Sequence, residues 1–291
     1  MIELDALIIG KGPAGVQAAL YMYRANVRPL IIGKDLGASE QAQVVDNFYG
    51  YPSIRGPELI EIGIKQATDM GIEVVTDEVL SIRYEDEKYI VTTPLTTYKV
   101  IALLLATGTQ RTIPRVRKIR NFHGKGVSYC AVCDAFFYRN KTVGVLGNAS
   151  YAAHEAAELV EICDKVYVFT DGKDLEAEFD PRCIIITDKL KTVLGDEKVS
   201  GLETDLTVIN LDGIFVALGS ASSTDIATQI GLEIANGRIV VNSEQETMIP
   251  GLYAAGDCTP GPQQIAKAVS DGCIAGMNMV SYVRTFKRRQ V

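Results

Sequence analysis

Short apolar runs closed by glycine or a polar turn recur along the 291-residue chain, separated by stretches with a helical pattern. Leu4 to Ile9 is short, apolar and ends at Gly10, the pattern of a buried strand. Val16 to Arg24 then reads as a helix and Pro29 to Ile32 as a second strand. Val100 to Leu105, Thr142 to Leu146 and Lys165 to Phe169 repeat the strand pattern, and Cys183 to Thr187 is a further candidate. Gly251 to Asp257 reads as a strand running into a Gly-Asp turn, after which Gln263-Gln264-Ile265-Ala266 opens an apolar helix. Strands alternating with helices predict an α/β protein. No apolar run approaches the roughly 20 residues that a membrane helix needs.

The turn after the first strand is Gly10-Lys11-Gly12-Pro13-Ala14-Gly15. Strand, GxGxxG and helix in that order form a dinucleotide fingerprint. Gly10 permits the tight turn, Gly12 lets a pyrophosphate approach the backbone, and Gly15 allows the helix to pack on the strand. The helix N-terminus then turns its partial positive charge to the phosphates. After the second strand no acid is well placed for the ribose; Asp35 is near but late.

Cys130-Ala131-Val132-Cys133 lies between this turn's domain and a second glycine turn, Gly147 to Ala152. A zinc site needs two more ligands, usually as a second close pair. The remaining cysteines (163, 183, 258 and 273) are scattered, and His123 and His154 pair with no other ligand, so no metal site is expected. Close spacing suits a redox dithiol, in which one thiolate attacks a target and the other resolves the mixed disulfide. Asp134 follows directly, where a carboxylate can shuttle a proton or cap a helix. The other four cysteines read most simply as small buried apolar residues, although Cys258 adjoins Asp257 and its role stays open.

At 31.6 kDa the chain is long enough for two domains. Six cysteines are too few for a disulfide scaffold, and the N-terminus enters a strand pattern without a basic region or cleavage site. A reducing, cytoplasmic setting is therefore expected. The net charge of −7 argues against a nucleic-acid partner. From Lys88 to Cys133, however, there is no acidic residue and there are eight basic ones: Lys88, Lys99, Arg111, Arg115, Arg117, Lys118, Arg120 and Lys125. Such a stretch steers an acidic partner or is merely a solvated linker.

Ala106-Thr107-Gly108 and the Gly251-to-Asp257 segment, with the first turn, resemble the two-dinucleotide-domain flavoprotein reductases. With Cys130 to Asp134, Ala135-Phe136-Phe137-Tyr138 and Phe215 to Gly219 added in order, the chain resembles the low-molecular-weight thioredoxin reductases almost end to end. Ferredoxin-NADP reductases of similar fold lack the dithiol and fit poorly. The resemblance implies two Rossmann-like, three-layer nucleotide-binding domains. A discontinuous FAD domain would cover 1–113 and 221–291, and a smaller domain at 114–220 would carry the dithiol. It places FAD against Gly10, Gly12, Pro13, Ala14, Gly15, Gly33, Lys34, Asn47, Thr107, Gly108, Asp257, Gln264 and Ile265, with Tyr49 standing where the family usually has proline. It implies that Cys133 faces the flavin, that Cys130 attacks thioredoxin, that Asp134 is the acid-base partner, and that the protein is a homodimer. A rotation of the smaller domain, hinged near 111–115 and 219–224, would let the dithiol meet both flavin and thioredoxin.

The second turn departs from the family's GxGxxA. Ala149 replaces the middle glycine and Tyr151 adds bulk beside it. The strand at Lys165 to Phe169 leads to Thr170-Asp171-Gly172-Lys173-Asp174 in place of a His-Arg-Arg motif that grips a 2′-phosphate. Glu176, Glu178 and Asp180 add negative charge, and the basic helix expected before the next strand is missing. These departures resemble the ferredoxin-dependent flavin thioredoxin reductases, which use no pyridine nucleotide. A flavin accepts single electrons, so reduced ferredoxin can supply FAD, which then reduces the Cys130–Cys133 disulfide. The alternatives are an NADH- or NADPH-dependent reductase, with an acid near Asp171 reading a ribose hydroxyl of NADH, a flavin thiol oxidase, and a redox sensor without turnover.

Overall fold

A computed structural model describes residues 1–108, 114–219 and 223–290, with the backbone alone at 41, 132, 133, 223 and 224. The chain divides into two compact units, Met1–Gln110 with Ser222–Val291, and Arg111–Ala221. The anticipated hinges fall largely on 109–113 and 220–222, outside the described residues.

The larger unit begins with β1 (Ile2–Ile9), α1 (Pro13–Arg24), β2 (Pro29–Ile32), α2 (Gly56–Asp69) and β3 (Glu73–Val75), then β4 (Ser81–Glu85), β5 (Lys88–Thr92) and β6 (Thr97–Leu105). β1 lies between β2 and β6, parallel to both, with Ile8 opposite Ile31 and Leu104. β4 and β5 extend the sheet antiparallel beyond β6. The apolar ends of β1, β2 and β6 are buried on both faces, as parallel strands covered by helices require. β1 and β6 also start earlier than their apolar runs, because Ile2 pairs with Tyr98 and Glu3 with Lys99. Ladder hydrogen bonds thus extend both strands past the buried core.

The smaller unit contains β7 (Val127–Ser128), α3 (Ala131–Asp134), β8 (Thr142–Leu146), α4 (Ser150–Val160), β9 (Lys165–Phe169) and β10 (Ile184–Ile186). β11 (Leu190–Gly195), β12 (Val199–Thr204), β13 (Val208–Asn210) and β14 (Gly213–Val216) follow. Five strands form a parallel sheet in the order β10-β9-β8-β14-β7, and β11-β12-β13 form a separate antiparallel sheet. Phe122, Leu146, Phe169, Leu202 and Ile214 belong to its core. No helix lies between β9 and β10, all of whose intervening residues are described.

The chain returns to the larger unit through α5 (Ser223–Gln229), β15 (Ile234–Ala235), β16 (Arg238–Ile239), β17 (Leu252–Ala254) and α6 (Ile265–Arg289). β17 adds to the main sheet parallel to β6, Tyr253 opposite Leu104. α6 packs against α1 so closely that a Cβ on Gly272 would run into the Ala14 carbonyl oxygen. Both partners there are backbone and cannot swing aside. Gly272→Ala is therefore expected to destabilise the larger unit by about 1–3 kcal/mol, read as a lower urea midpoint. Gly63→Ala, whose Cβ would meet only Val16 at an ordinary 3.6 Å, is the control.

Candidate active site

β1 delivers the first glycine turn to the end of the sheet. Gly10 has φ +119° and its Cβ would strike the Ala106 carbonyl oxygen, so the turn needs glycine for both conformation and space. At Gly15 a Cβ would meet the Gly10 carbonyl, which is the close helix-strand packing expected of the fingerprint. Gly12 differs: a Cβ there would find nothing of the protein within 4 Å. α1 starts at Pro13, whose missing N–H costs nothing at that position, and no side chain caps it. The turn thus presents open space and uncapped amides, the arrangement that receives a pyrophosphate.

The neighbouring elements supply polar groups around the same end of the sheet. Gly33 leaves room for Lys11, whose Nζ donates to Thr76 Oγ1 at 3.0 Å. Lys34 pairs with the buried Glu78 at 2.8 Å. Asp35 accepts the Gly37 amide within its own turn, so it is a local turn-former. Thr107 and Gly108 follow β6, Gly108 at φ +70°. Asn47 and Gln264, 217 residues apart, meet through a 3.2 Å hydrogen bond from Asn47 Nδ2 to Gln264 Oε1, and Ile265 opens α6.

The Gly-Asp turn is fixed from beneath by a pair, buried Asp271 and half-buried Lys267, that sequence reasoning missed. Lys267 and Asp271 pair at 2.7 Å on α6. Lys267 also donates to the carbonyl of Gly256 at 2.7 Å, while Asp271 accepts the Gly256 amide at 3.0 Å. Asp257 itself keeps Oδ1 buried with no hydrogen-bond partner. Burial pushes its carboxyl above the ordinary carboxylate range, against the pull of Lys267 and Arg238. A buried acceptor in need of a donor fits a cofactor hydroxyl. Together with the open turn at Gly12, it makes this end of the sheet suited to FAD. Cys258 is buried with its sulfur against the Leu105 and Ala255 carbonyls, and burial pushes its thiol up to about 12. It is an inert core residue at neutral pH.

The dithiol segment belongs to the smaller unit. Cys130 is disulfide-bonded and 3% exposed. For Cys133 only the backbone is described, in α3. Ser128 Oγ accepts the Cys130 amide at 3.1 Å and donates to Asp134 Oδ2 at 2.6 Å. Ser128 therefore ties the Asp134 carboxylate to the backbone of Cys130. The other reading of Asp134, a helix cap, has no support: it lies at the end of α3, and no side-chain cap bond is made where the following 3-10 turn begins.

α4 faces the same segment. Tyr151 Oη donates to the Tyr129 carbonyl at 3.2 Å, and Glu155 Oε2 accepts the Ala131 amide at 2.6 Å. Neither contact is legible as a motif. A usable signal is that Glu155 falls on the buried stripe of α4 with Tyr151, Ala152, Ala156 and Leu159. An acid on an apolar face needs a specific donor.

The second glycine turn is engaged by its own chain. Asn148 is 7% exposed, and its Nδ2 donates to the Asp174 carbonyl at 2.8 Å and to Glu176 Oε1 at 3.2 Å. The Glu176 amide returns a 2.8 Å bond to the Asn148 carbonyl. Asp171, considered as a ribose acceptor, instead takes the Leu190 amide at 2.9 Å.

The long basic stretch is divided by the fold. Lys88 and Lys99 lie on β5 and β6 of the larger unit, Lys88 paired with Glu3, and Arg111 lies outside the described residues. Arg115, Arg117, Lys118, Arg120 and Lys125 are exposed on the smaller unit, and among the described residues none of these five forms an ion pair. Among the described residues no helix is long and apolar enough to cross a membrane, and no cluster of three His, Cys, Asp or Glu is placed to hold a metal.

Two nucleotide-binding-type domains, one with an open glycine turn and the other with a redox cysteine segment, define a flavin disulfide reductase. A sequence profile of the pyridine nucleotide-disulphide oxidoreductases matches residues 4–272, and the chain belongs to that family. It is 31% identical to a thioredoxin reductase of Listeria innocua over 97% of this chain and 95% of that protein. Among solved structures it is similar to the atypical thioredoxin reductase TRi from Desulfovibrio vulgaris Hildenborough, with 35% identity, TM-score 0.89, and 97% and 98% of the two chains covered. It is also similar to a ferredoxin-flavin thioredoxin reductase from Clostridium acetobutylicum, with 35% identity, TM-score 0.74, and 98% and 99% covered. The protein is a flavin-dependent disulfide reductase of the thioredoxin reductase type, and FAD is its cofactor.

Proposed function

We propose that this protein reduces thioredoxin with electrons from reduced ferredoxin and uses no pyridine nucleotide. The observation that carries the reading is the second glycine turn. Asn148 is bonded through both side chain and backbone to the 174–176 segment, and Ala149 stands where a nucleotide-binding turn needs glycine. Three hydrogen bonds hold Asn148 of that turn to the 174–176 segment. The engagement of Asp171 by Leu190 argues against NADH in particular. The exposed cations from Arg115 to Lys125 suit an acidic donor. The similarity to a protein described as a ferredoxin-flavin thioredoxin reductase points the same way.

In this reading Gly10, Gly12, Pro13, Ala14, Gly15, Gly33, Lys34, Asn47, Thr107, Gly108, Asp257, Gln264 and Ile265 hold the cofactor. Bound FAD supplies the chemistry that joins a one-electron donor to a two-electron disulfide. Cys133 is the flavin-facing cysteine. The Cys130 thiolate attacks a thioredoxin sulfur to form a mixed disulfide. Cys133 then attacks Cys130, re-forming the enzyme disulfide and releasing thioredoxin with two thiols. Asp134, oriented by Ser128, moves the protons. The proposal includes a cytoplasmic homodimer whose smaller domain rotates during turnover.

Anaerobic visible spectroscopy tests the donor. Reduced ferredoxin is expected to bleach the flavin band, whereas millimolar NADPH or NADH leaves it within about 5% of its starting height over the same time, as expected when no competent site exists. Bleaching by either nucleotide with none by ferredoxin rejects the proposal.

A further inference from the structure

The helix that follows the altered turn holds the dithiol from behind. Tyr151 binds the carbonyl of Tyr129 and Glu155 binds the amide of Ala131. These groups belong to the two peptide units that flank Cys130. Because each peptide is planar, fixing both leaves the Cys130 backbone dihedrals little freedom. Tyr151 and Glu155 are each 1% exposed, so both bonds lie where water does not compete. Ser128 anchors the Cys130 amide as a third point. In a nucleotide-binding domain the start of this helix serves the phosphates. Here its first two turns are given to the cysteine segment.

We propose that Tyr151 and Glu155 are positioning residues that hold Cys130 in its disulfide-closing geometry and keep the reduction potential of the pair low. The inference rests on the reading of Cys130 as part of the redox pair. Two effects act with the same sign. The clamp raises the effective concentration of one sulfur at the other, which favours the disulfide. The Glu155 carboxylate, beside the first turn of α3, disfavours a thiolate at Cys130 and so disfavours the reduced form.

The test is redox equilibration of the FAD-loaded protein with dithiothreitol buffers, trapping free thiols and weighing the Cys130 peptide. In each exchange the protein disulfide gains two electrons and two protons while dithiothreitol closes to its cyclic disulfide. Glu155→Gln keeps an acceptor for Ala131 and removes the charge, and Tyr151→Phe removes one oxygen and keeps the ring. Each is expected to shift the equilibrium about tenfold towards the dithiol, equivalent to about +30 mV, with Tm within a few degrees of wild type. Equilibria within about twofold of wild type in both variants, with or without a lower Tm, overturn the inference and leave the proposed function standing. A wild-type protein with no titrating pair at Cys130 removes both. Should Glu155→Gln fail to fold, Tyr151→Phe decides alone.

Discussion

Cys130→Ser is expected to lower thioredoxin reduction by roughly 10³-fold or more while leaving flavin content at the wild-type level. The oxygen of serine neither forms the disulfide nor resolves one, so the two-electron path out of the protein is cut at its last step. The cofactor turn is built from other elements (β1, α1 and the Gly-Asp turn), so FAD is retained. Cys163→Ser supplies the contrast. Burial pushes that thiol up to about 11, so its thiolate is scarce at neutral pH and its loss leaves turnover within about twofold. The measurement is a single turnover: chemically reduced enzyme is mixed anaerobically with disulfide thioredoxin, and the return of the flavin band is followed. A Cys130→Ser protein that reoxidises at the wild-type rate would show that the electrons leave by another route.

Gly12→Val is expected to abolish stable FAD binding without unfolding the chain. Gly12 has φ −79° and ψ −175°, extended backbone that valine adopts without strain, and no protein atom lies within 4 Å of the added Cβ. The methyl groups therefore occupy only the space left for the pyrophosphate. An affinity loss of about a hundredfold, equivalent to about 2.7 kcal/mol, is the expected size. Flavin-to-protein absorbance on purification checks it, with the Tm compared against wild type stripped of FAD, because bound ligand alone raises stability. Wild-type flavin content in Gly12→Val would remove this turn from the site. Gly10 and Gly15 cannot serve in this experiment, since substitution there strikes backbone and unfolds the turn itself.

Much of the molecule is legible along the chain because the relevant signals are short-ranged. The runs at Pro29–Ile32, Thr142–Leu146 and Lys165–Phe169 are strands at the residues their pattern marks. α1 begins three residues before its apolar stripe, at Pro13, since the glycine turn sets its start. Other features resist such reading. The acid-free stretch from Lys88 looks continuous, yet the fold assigns its first two lysines to one unit and five cations to the other. Asp35 comes late for a ribose and Asp171 lies where an acid could read one, and backbone amides at Gly37 and Leu190 engage them. An acid's available partners, beyond its position, decide whether it can serve a ligand.

The sequence alone determined the α/β alternation, the open first turn, the paired cysteines and the loss of glycine at the second turn, all properties of residues within a few positions of each other. Only the tertiary structure decided that Asn148 is engaged by a segment 26 to 28 residues away and that Tyr151 and Glu155 reach back 22 and 24 residues to the peptides around Cys130. The reason is physical. Backbone conformation follows from local sterics and periodicity, whereas a buried polar group takes whichever partner the closed chain brings within about 3 Å.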